Sequence, residues 1–451
     1  MKQHIDLTNG SVAGHIIRMA PPMAVAFFAM MAFNLADTWF VSRLGTQSLA
    51  AMGFTFPLIM IFHSVAMGIG LGTSSCVSRA IGEGNHDRIQ HLATYSLFLA
   101  FGIMCLLSFF GMLFLPELLA GLGAEADTMR LATRYMRIWF LFAPLGALPM
   151  VGNNAIRATG DTLWPSIIMF SSATLNVILD PILIFGLGLV PAMGISGAAL
   201  ATGLTRFLSF GWALWLMHHE CHLLTTRWTG AREMFRACGS VLHIAVPSAA
   251  TNLLMPITMG IVTRLIAGYG EFAVAATAAG QRIEHFMYIV PMAMGSALVP
   301  IIGQNWGAKR IDRVREAWVN TNWYGIVYGV MCFFLSILLA APVARYFSQD
   351  QEVIRLITHY LWIMLFAAIL QHALMHTVFA FNAIRKPLQA SLLTVVRLAG
   401  LVVPMAWIGS RLFGVHGVYL GLAAATILAG ILALVWFGKT LRRVMAGDEL
   451  A

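Results

Sequence analysis

Charge is what this sequence has least of. Only 10% of its 451 residues are Asp, Glu, Lys or Arg, 59% are hydrophobic, and the mean hydropathy is +0.79. A soluble domain carries about 25% charged and about 45–50% apolar residues. A soluble enzyme, a disordered chain and a nucleic-acid binder are excluded on that ground. Lysine is nearly missing, since 24 of the 28 basic residues are arginine. Cysteine is scarce too. Cys76, Cys105, Cys221, Cys238 and Cys332 are odd in number and scattered, so neither a disulfide framework nor a zinc spacing is expected. No Walker loop, nucleophile elbow or zincin helix occurs, so no enzyme activity and no cofactor are expected. Any transport work must then draw on an ion gradient or another subunit. Short alternating strands are missing, which argues against a membrane β-barrel. No signal-peptide cleavage pattern follows the polar lead with Lys2, Asp6 and Asn9.

What is present is long apolar runs. They fall at about 15–42, 47–78, 92–116, 131–155, 164–189 and 194–217, then at 241–267, 273–302, 318–342, 356–381, 390–411 and 415–438. About 20 apolar residues span a bilayer as a helix. The expected fold is all-α and polytopic, with twelve transmembrane helices in two six-helix bundles. The N-terminal lobe is 1–217, a polar linker covers 218–240, and the C-terminal lobe is 241–451. Breaks after even-numbered spans hold Arg79, Arg88, Arg157, Arg227, Arg236, Lys309, Arg313 and Arg385, and the opposite breaks hold Glu117, Glu125, Asp127, Glu271 and Asp350. The positive-inside rule then puts both termini in the cytoplasm, although Arg130, Arg134 and Arg137 break the pattern. The net charge of +9 reflects this rule rather than an acidic partner.

The halves repeat. At an offset of 225, Pro22 meets Pro247, Gly45 meets Gly270, Gly82 meets Gly307, and Asp87-Arg88 meets Asp312-Arg313. At 220, Gly194-x-x-Gly197 meets Gly414-x-x-Gly417. Two bundles in one orientation imply a pseudo-twofold along the membrane normal and a central cavity between them, an architecture of secondary transporters.

Three acids lie well inside spans: Asp37, Asp180 and Glu284. A charge at such depth is costly and marks a functional candidate. Asn34 precedes Asp37 by three residues and Asn176 precedes Asp180 by four, each pair on one helix face. At 1.5 Å per residue, Asp37, Asp180 and Thr202 lie roughly 9, 13 and 12 Å from the outer end. Two carboxylates with amides and a hydroxyl suit either a shared proton or a sodium ion. At the repeat register Asp37 maps to Val262, and Asp180 has only Val402, Val403 and Pro404 for counterparts. A purely structural role would call for acids in both copies. Glu284, with Arg397 as a possible partner, reads as a structural pair or as a second coupling or substrate-cation site. Pro22 (beside Pro21), about 15 residues before Asp37, and Pro181, directly after Asp180, interrupt helical hydrogen bonding and are candidate hinges. The tract His218-His219-Glu220-Cys221-His222 has ligating side chains but no second cluster, and no metal site is expected.

Asn34-x-x-Asp37, Arg79-Ala-Ile-Gly82-Glu-Gly84-Asn85, Arg157-Ala-x-Gly160-Asp161, Asn176-Val-Ile-Leu-Asp180-Pro181, Gly197-Ala-Ala-Leu-Ala-Thr202 and Gly303-Gln304-Asn305 together resemble the multidrug and toxic compound extrusion (MATE) family. The paired first-half acids are similar to its DinF-like prokaryotic branch rather than its NorM-like branch. The resemblance implies export of organic, often cationic, compounds from a bacterial inner membrane by cation antiport, H+ before Na+. It implies coupling at Asp37, Asn176, Asp180 and Thr202, bending of the first helix at Pro22, and Phe33 on the cavity wall. The expected partners are small substrates and the lipid bilayer, with no nucleic acid, and a monomer. Two other readings stay open. One is a flippase of lipid-linked precursors, for which Arg206, Arg282 and Arg397 would face a pyrophosphate. The other is a membrane protein that transports nothing.

Overall fold

In hydrocarbon no water is available to bond a backbone amide, so an apolar chain must satisfy its N–H and C=O groups within helices. The computed structural model of the chain describes residues 5–188 and 190–447 and is helical almost throughout; Lys2 lies outside these residues. The helices are α1 (Val12–Ser42), α2 (Thr46–Gly82), α3 (His86–Leu113), α4 (Leu115–Gly121), α5 (Ala126–Ala158), α6 (Leu163–Phe185) and α7 (Ile195–His219). Then follow α8 (Ala231–Ala267), α9 (Glu271–Met287), α10 (Ile289–Gly307), α11 (Ile311–Phe347), α12 (Gln351–Ala383) and α13 (Pro387–Val395). A π-helical segment, Val396–Val402, leads into α14 (Val403–Met445). The stretch between α7 and α8 is 220–230, shorter than the polar stretch of the sequence, because α8 begins with the polar turn Ala231-Arg232-Glu233.

Among the described residues nine helices are long and apolar enough to cross a membrane, and α9 with α10 makes a tenth, bent by 43°. The eleventh is α7, whose apolar run is diluted by Arg206. The twelfth comes from α14, which breaks at Phe413–Gly414. The chain is therefore a multi-pass membrane protein with the expected twelve spans.

Two compact units divide the chain: Met1–Asp6 with Pro21–Ala249, and Leu7–Ala20 with Ala250–Ala451. Both divisions inside helices fall near a proline. In α1 the division lies at Pro21, and in α8 it lies three residues after Pro247. The first unit is built on α5, which packs against α2, α3, α6 and α7. The second is built on α12, which packs against α9, α10, α11 and α14. The first core holds Ile69, Val77, Leu92, Val151, Ile156 and Leu216. The second holds Val262, Ile266, Ile357, Leu365, Val418 and Leu422.

The repeat is visible in the backbone. Gly45 and Gly270 have φ of 102° and 100°. Gly194 (57°, −136°) and Gly414 (62°, −141°) adopt one conformation that disfavours any side chain. Most of the quoted motifs are corners. Asn85 caps α3 by accepting the Arg88 N–H at 3.0 Å, and Glu83 bridges Arg79 and Arg88 at 2.8 and 2.6 Å. Asp161 caps α6 at 2.9 Å. Gln304 and Asn305 hold the main chain of Leu7, at 3.1 Å each.

Gly197 carries the contact between α6 and α7, since a Cβ there would run into the Leu183 carbonyl. Gly197→Ala is expected to lower stability by about 1–3 kcal/mol through overpacking. Denaturant unfolding in detergent measures this, and an unchanged midpoint would refute it.

Candidate functional site

The first unit gathers a polar cluster in its apolar interior. Asp37 comes from α1, Tyr135 from α5, Asn176 and Asp180 from α6, and Thr202 and Arg206 from α7. Asp180 is fully buried; Asp37, Asn176 and Thr202 are 8%, 2% and 7% exposed. The four-residue step from Asn176 to Asp180 stacks both side chains on one face of α6. Small residues on α7 (Gly197, Ala198, Ala201) let that face come close to Thr202.

Asn176 can serve this site in two ways, and its amide orientation follows from its hydrogen bonds. With nitrogen toward Asp180, it donates to Oδ2 at 2.8 Å and Oδ1 at 3.3 Å, while its oxygen accepts the Thr202 N–H at 3.2 Å. Turned over, Nδ2 donates to Thr202 Oγ1 at 3.4 Å and the amide oxygen faces the carboxyl. The second arrangement is sound only if Asp180 carries a proton to donate.

Asp37 is less well supplied. Its buried Oδ1 has no hydrogen-bond partner. It lies within electrostatic range of Asp180 and of Arg206. Arg206 lies over the Trp139 ring, 5.3 Å from its centroid, and its stem packs against Gly146. Tyr135 senses Asp37, Arg206 and Asp180 together. Two carboxylates and one guanidinium leave a formal charge of −2 + 1 = −1 when both acids are ionised, which one monovalent cation neutralises. Asn34 does not join the cluster: it is exposed, and no hydrogen bond links its amide to Asp37. Phe33 is half-buried. Pro22 lies inside α1 at the unit division, and Pro181 lies inside α6 directly after Asp180.

Glu284, at the end of α9, is the acid of the second unit. Both of its oxygens accept phenol hydroxyls: Tyr288 donates to Oε1 at 2.6 Å, and Tyr360 on α12 donates to Oε2. Tyr288 is the residue at which α9 breaks into α10. The Tyr360 ring meets the Tyr419 ring edge-on at 5.1 Å, and Tyr419 bonds Thr277 at 2.7 Å. Arg397 sits in the π-helical segment within electrostatic range of Glu284, with its buried Nε unpartnered. One helical turn apart on α12, His372 and His376 each donate to a backbone carbonyl, of Gly325 and Pro291, and each leaves its other ring nitrogen unpartnered.

Sequence reasoning passed over Tyr135, Tyr288, Tyr360, His372 and His376, and weighed Arg206 only for a pyrophosphate. The signal was available: each is a polar side chain inside an apolar run. Among the described residues no group of three or more His, Cys, Asp or Glu could hold a metal ion, the His218–His222 tract included.

Tyr360→Phe removes a donor from a buried carboxylate and is expected to cost about 1.5–3 kcal/mol of stability. Tyr419→Phe loses a bond to a neutral hydroxyl and should cost about 1 kcal/mol. Unfolding of both variants under one condition tests the order, and the reverse order would contradict it.

The MatE family model matches the chain twice, over 22–182 and 247–408, in the same register as the internal repeat. A relative described as a FAD transporter, from Shewanella oneidensis, is 34% identical over 96% of this chain and 95% of its own. The multidrug export protein MepA of Staphylococcus aureus is 23% identical over 92% and 91%. The solved structure of the Vibrio cholerae MATE transporter VcmN in the bent form superposes with a TM-score of 0.90 at 29% identity, over 96% and 97% of the two chains.

Proposed function

This chain belongs to the MatE family of membrane transporters, and from that premise we propose that it exports organic compounds across the cytoplasmic membrane in exchange for protons, with both termini in the cytoplasm. The observation that carries the reading is the carboxyl of Asp180 beside an amide that can serve it in either protonation state. When Asp180 takes up a proton, the amide reverses so that its oxygen accepts from the carboxyl. The formal charge of −1 shared by Asp37, Asp180 and Arg206 matches uptake of one proton. Arg206 also weighs against sodium. A guanidinium near the acids repels a second cation and offsets part of the negative charge that a sodium ion among the two carboxyls, the amide and the hydroxyl would need. Glu284, in the second unit, has both of its oxygens bonded by tyrosine hydroxyls.

The substrate has two candidate classes. Organic cations suit the acids, and the name of MepA supports export of drugs. A flavin dinucleotide is supported by the name of the Shewanella relative, and Arg206, Arg282 and Arg397 are guanidiniums of the kind that pair with phosphate. Flavin in the medium of expressing cells, measured beside ethidium efflux, separates the two.

Asp37→Asn and Asp180→Asn keep side-chain volume and remove the titratable charge. Each is expected to abolish efflux driven by a pH gradient in proteoliposomes while insertion and folding persist. Efflux driven equally well by a sodium gradient with the pH gradient collapsed would overturn proton coupling. Full pH-driven efflux by either variant would overturn the site.

Pro22 cannot donate to the carbonyl of Arg18 and crowds it with its ring. It lies beside the point where α1 passes from one unit to the other. Alternating access needs an element with two shapes a few kcal/mol apart. Pro22→Ala restores the backbone bond and is expected to slow efflux with near-normal substrate affinity. Normal turnover with lowered thermal stability, measured on one preparation, would mean that the proline only fits a fixed bend.

A further inference from the structure

On the outside of the first unit, α3 and α7 both pack on α5 and leave a groove between them of about 940 Å³. Its walls change character along its length. Phe98 and Phe101 of α3, with Phe210, Leu214 and Trp215 of α7, are apolar, and Phe98 and Trp215 are 66% and 50% exposed. At the other end stand His86, His218, His219, Arg227 and one acid, Asp87. This is the end of the helices where basic residues concentrate.

The stretch between α7 and α8 is strapped over that polar end. Gln90 donates to the His222 carbonyl at 2.9 Å, the Thr225 N–H donates to Thr94 Oγ1 at 3.1 Å, and Tyr95 pairs with Thr229 Oγ1 at 3.0 Å. His91 meets the Arg227 carbonyl at 3.3 Å, which fixes the main chain of that arginine. The Arg227 guanidinium itself is exposed and has no hydrogen bond or ion pair among the described residues. An unpaired guanidinium held at the mouth of an apolar groove is a ready phosphate ligand. From Asp87 to Phe101 the groove follows about 14 residues of helix, roughly 21 Å. Half of the hydrocarbon thickness is about 15 Å, so this length covers one lipid tail and its headgroup.

We propose that the groove binds one phosphatidylethanolamine molecule from the membrane leaflet at the basic ends of the helices. Arg227 and the paired histidines His218 and His219 take the phosphate, Asp87 takes the headgroup ammonium, and an acyl chain lies along Phe98, Phe101 and Gly211. The charge layout favours this headgroup over a purely anionic one, because Asp87 is an acceptor that phosphatidylglycerol cannot pair with an ammonium. The His218–His222 tract thereby has a role that is neither metal binding nor transport.

Gly211 makes the test clean. It lies in the groove wall, and nothing stands within 4 Å of a Cβ built there. Gly211→Phe therefore starts its side chain in open space and places the ring in the groove. Delipidated protein is heated in detergent with added phosphatidylethanolamine, phosphatidylglycerol or glycerophosphoethanolamine. A ligand that binds only the folded state raises Tm. The wild type is expected to gain most with phosphatidylethanolamine, less with phosphatidylglycerol and nothing with the chainless compound. Gly211→Phe and Arg227→Gln are expected to keep the wild-type Tm without lipid and to lose the gain. An equal gain in all three proteins overturns the site. An equal gain with phosphatidylglycerol overturns the headgroup assignment, and a gain with glycerophosphoethanolamine overturns the chain-binding groove. None of these readouts depends on transport.

Discussion

The carboxyl of Asp180 has no contact with solvent and one amide for a partner, and much of the first unit is organised by that confinement. An isolated ionised carboxylate in a low dielectric is very costly, so it must be bonded, neighboured by opposite charge or protonated. Asn176 supplies the bond from one turn away. Arg206 supplies positive charge near Asp37. The bond between Asn176 and Thr202 depends on α6 and α7 lying close together, and that closeness rests on Gly197 against Leu183 and on the alanines around it. Further along α7, Gly203 lies against the ring of Phe142 on α5. The chemistry of the site is thus set by residues that have almost no side chain.

The second unit repeats the scaffold and not the chemistry. Its glycines hold the same dihedral angles, and α12 takes the place of α5. Yet Val262, at the position of Asp37, is a core residue 1% exposed. Its one deep acid, Glu284, sits at a helix break and is bonded on both oxygens. Asp37, by contrast, has a buried oxygen with no hydrogen-bond partner. The contrast supports placing cation exchange in the first unit alone.

The spans were legible because a bilayer demands long apolar runs and tolerates little else. What hydropathy could not register was discontinuity inside a run. The break at Tyr288 lies three residues before Pro291, which cannot donate to the Met287 carbonyl and crowds it, and hydropathy gives no weight to that. The π-helical turn around Arg397 is likewise silent in composition. In the site, helical spacing correctly put Asn176 with Asp180, since both lie on one helix. Spacing failed for Asn34, because three residues on α1 separate a buried face from an exposed one. Tyr135 and Arg206 reach the acids from α5 and α7, and no local pattern encodes that convergence. Gly160, Asp161, Asn85 and Gln304 drew notice as motif residues and prove to be corners and caps.

The identity of residue 176 carries the last step. On the proposed reading the site passes between a state in which Asp180 accepts hydrogen bonds and one in which it donates one. A carrier turns over only if neither state is much lower in energy than the other. A fixed donor beside Asp180 would favour the anion and hold it there; a fixed acceptor would favour the acid. An amide has a donor and an acceptor at opposite ends of one rotor, and Thr202 offers the complementary pair, its N–H and its hydroxyl oxygen, on the far side. Reversal of Asn176 therefore gives each state bonded partners at both ends of the amide without moving a helix. Changing the protonation of Asp180 then leaves few buried groups unpaired, and the energy of the proton gradient remains available for the larger rearrangement of α1.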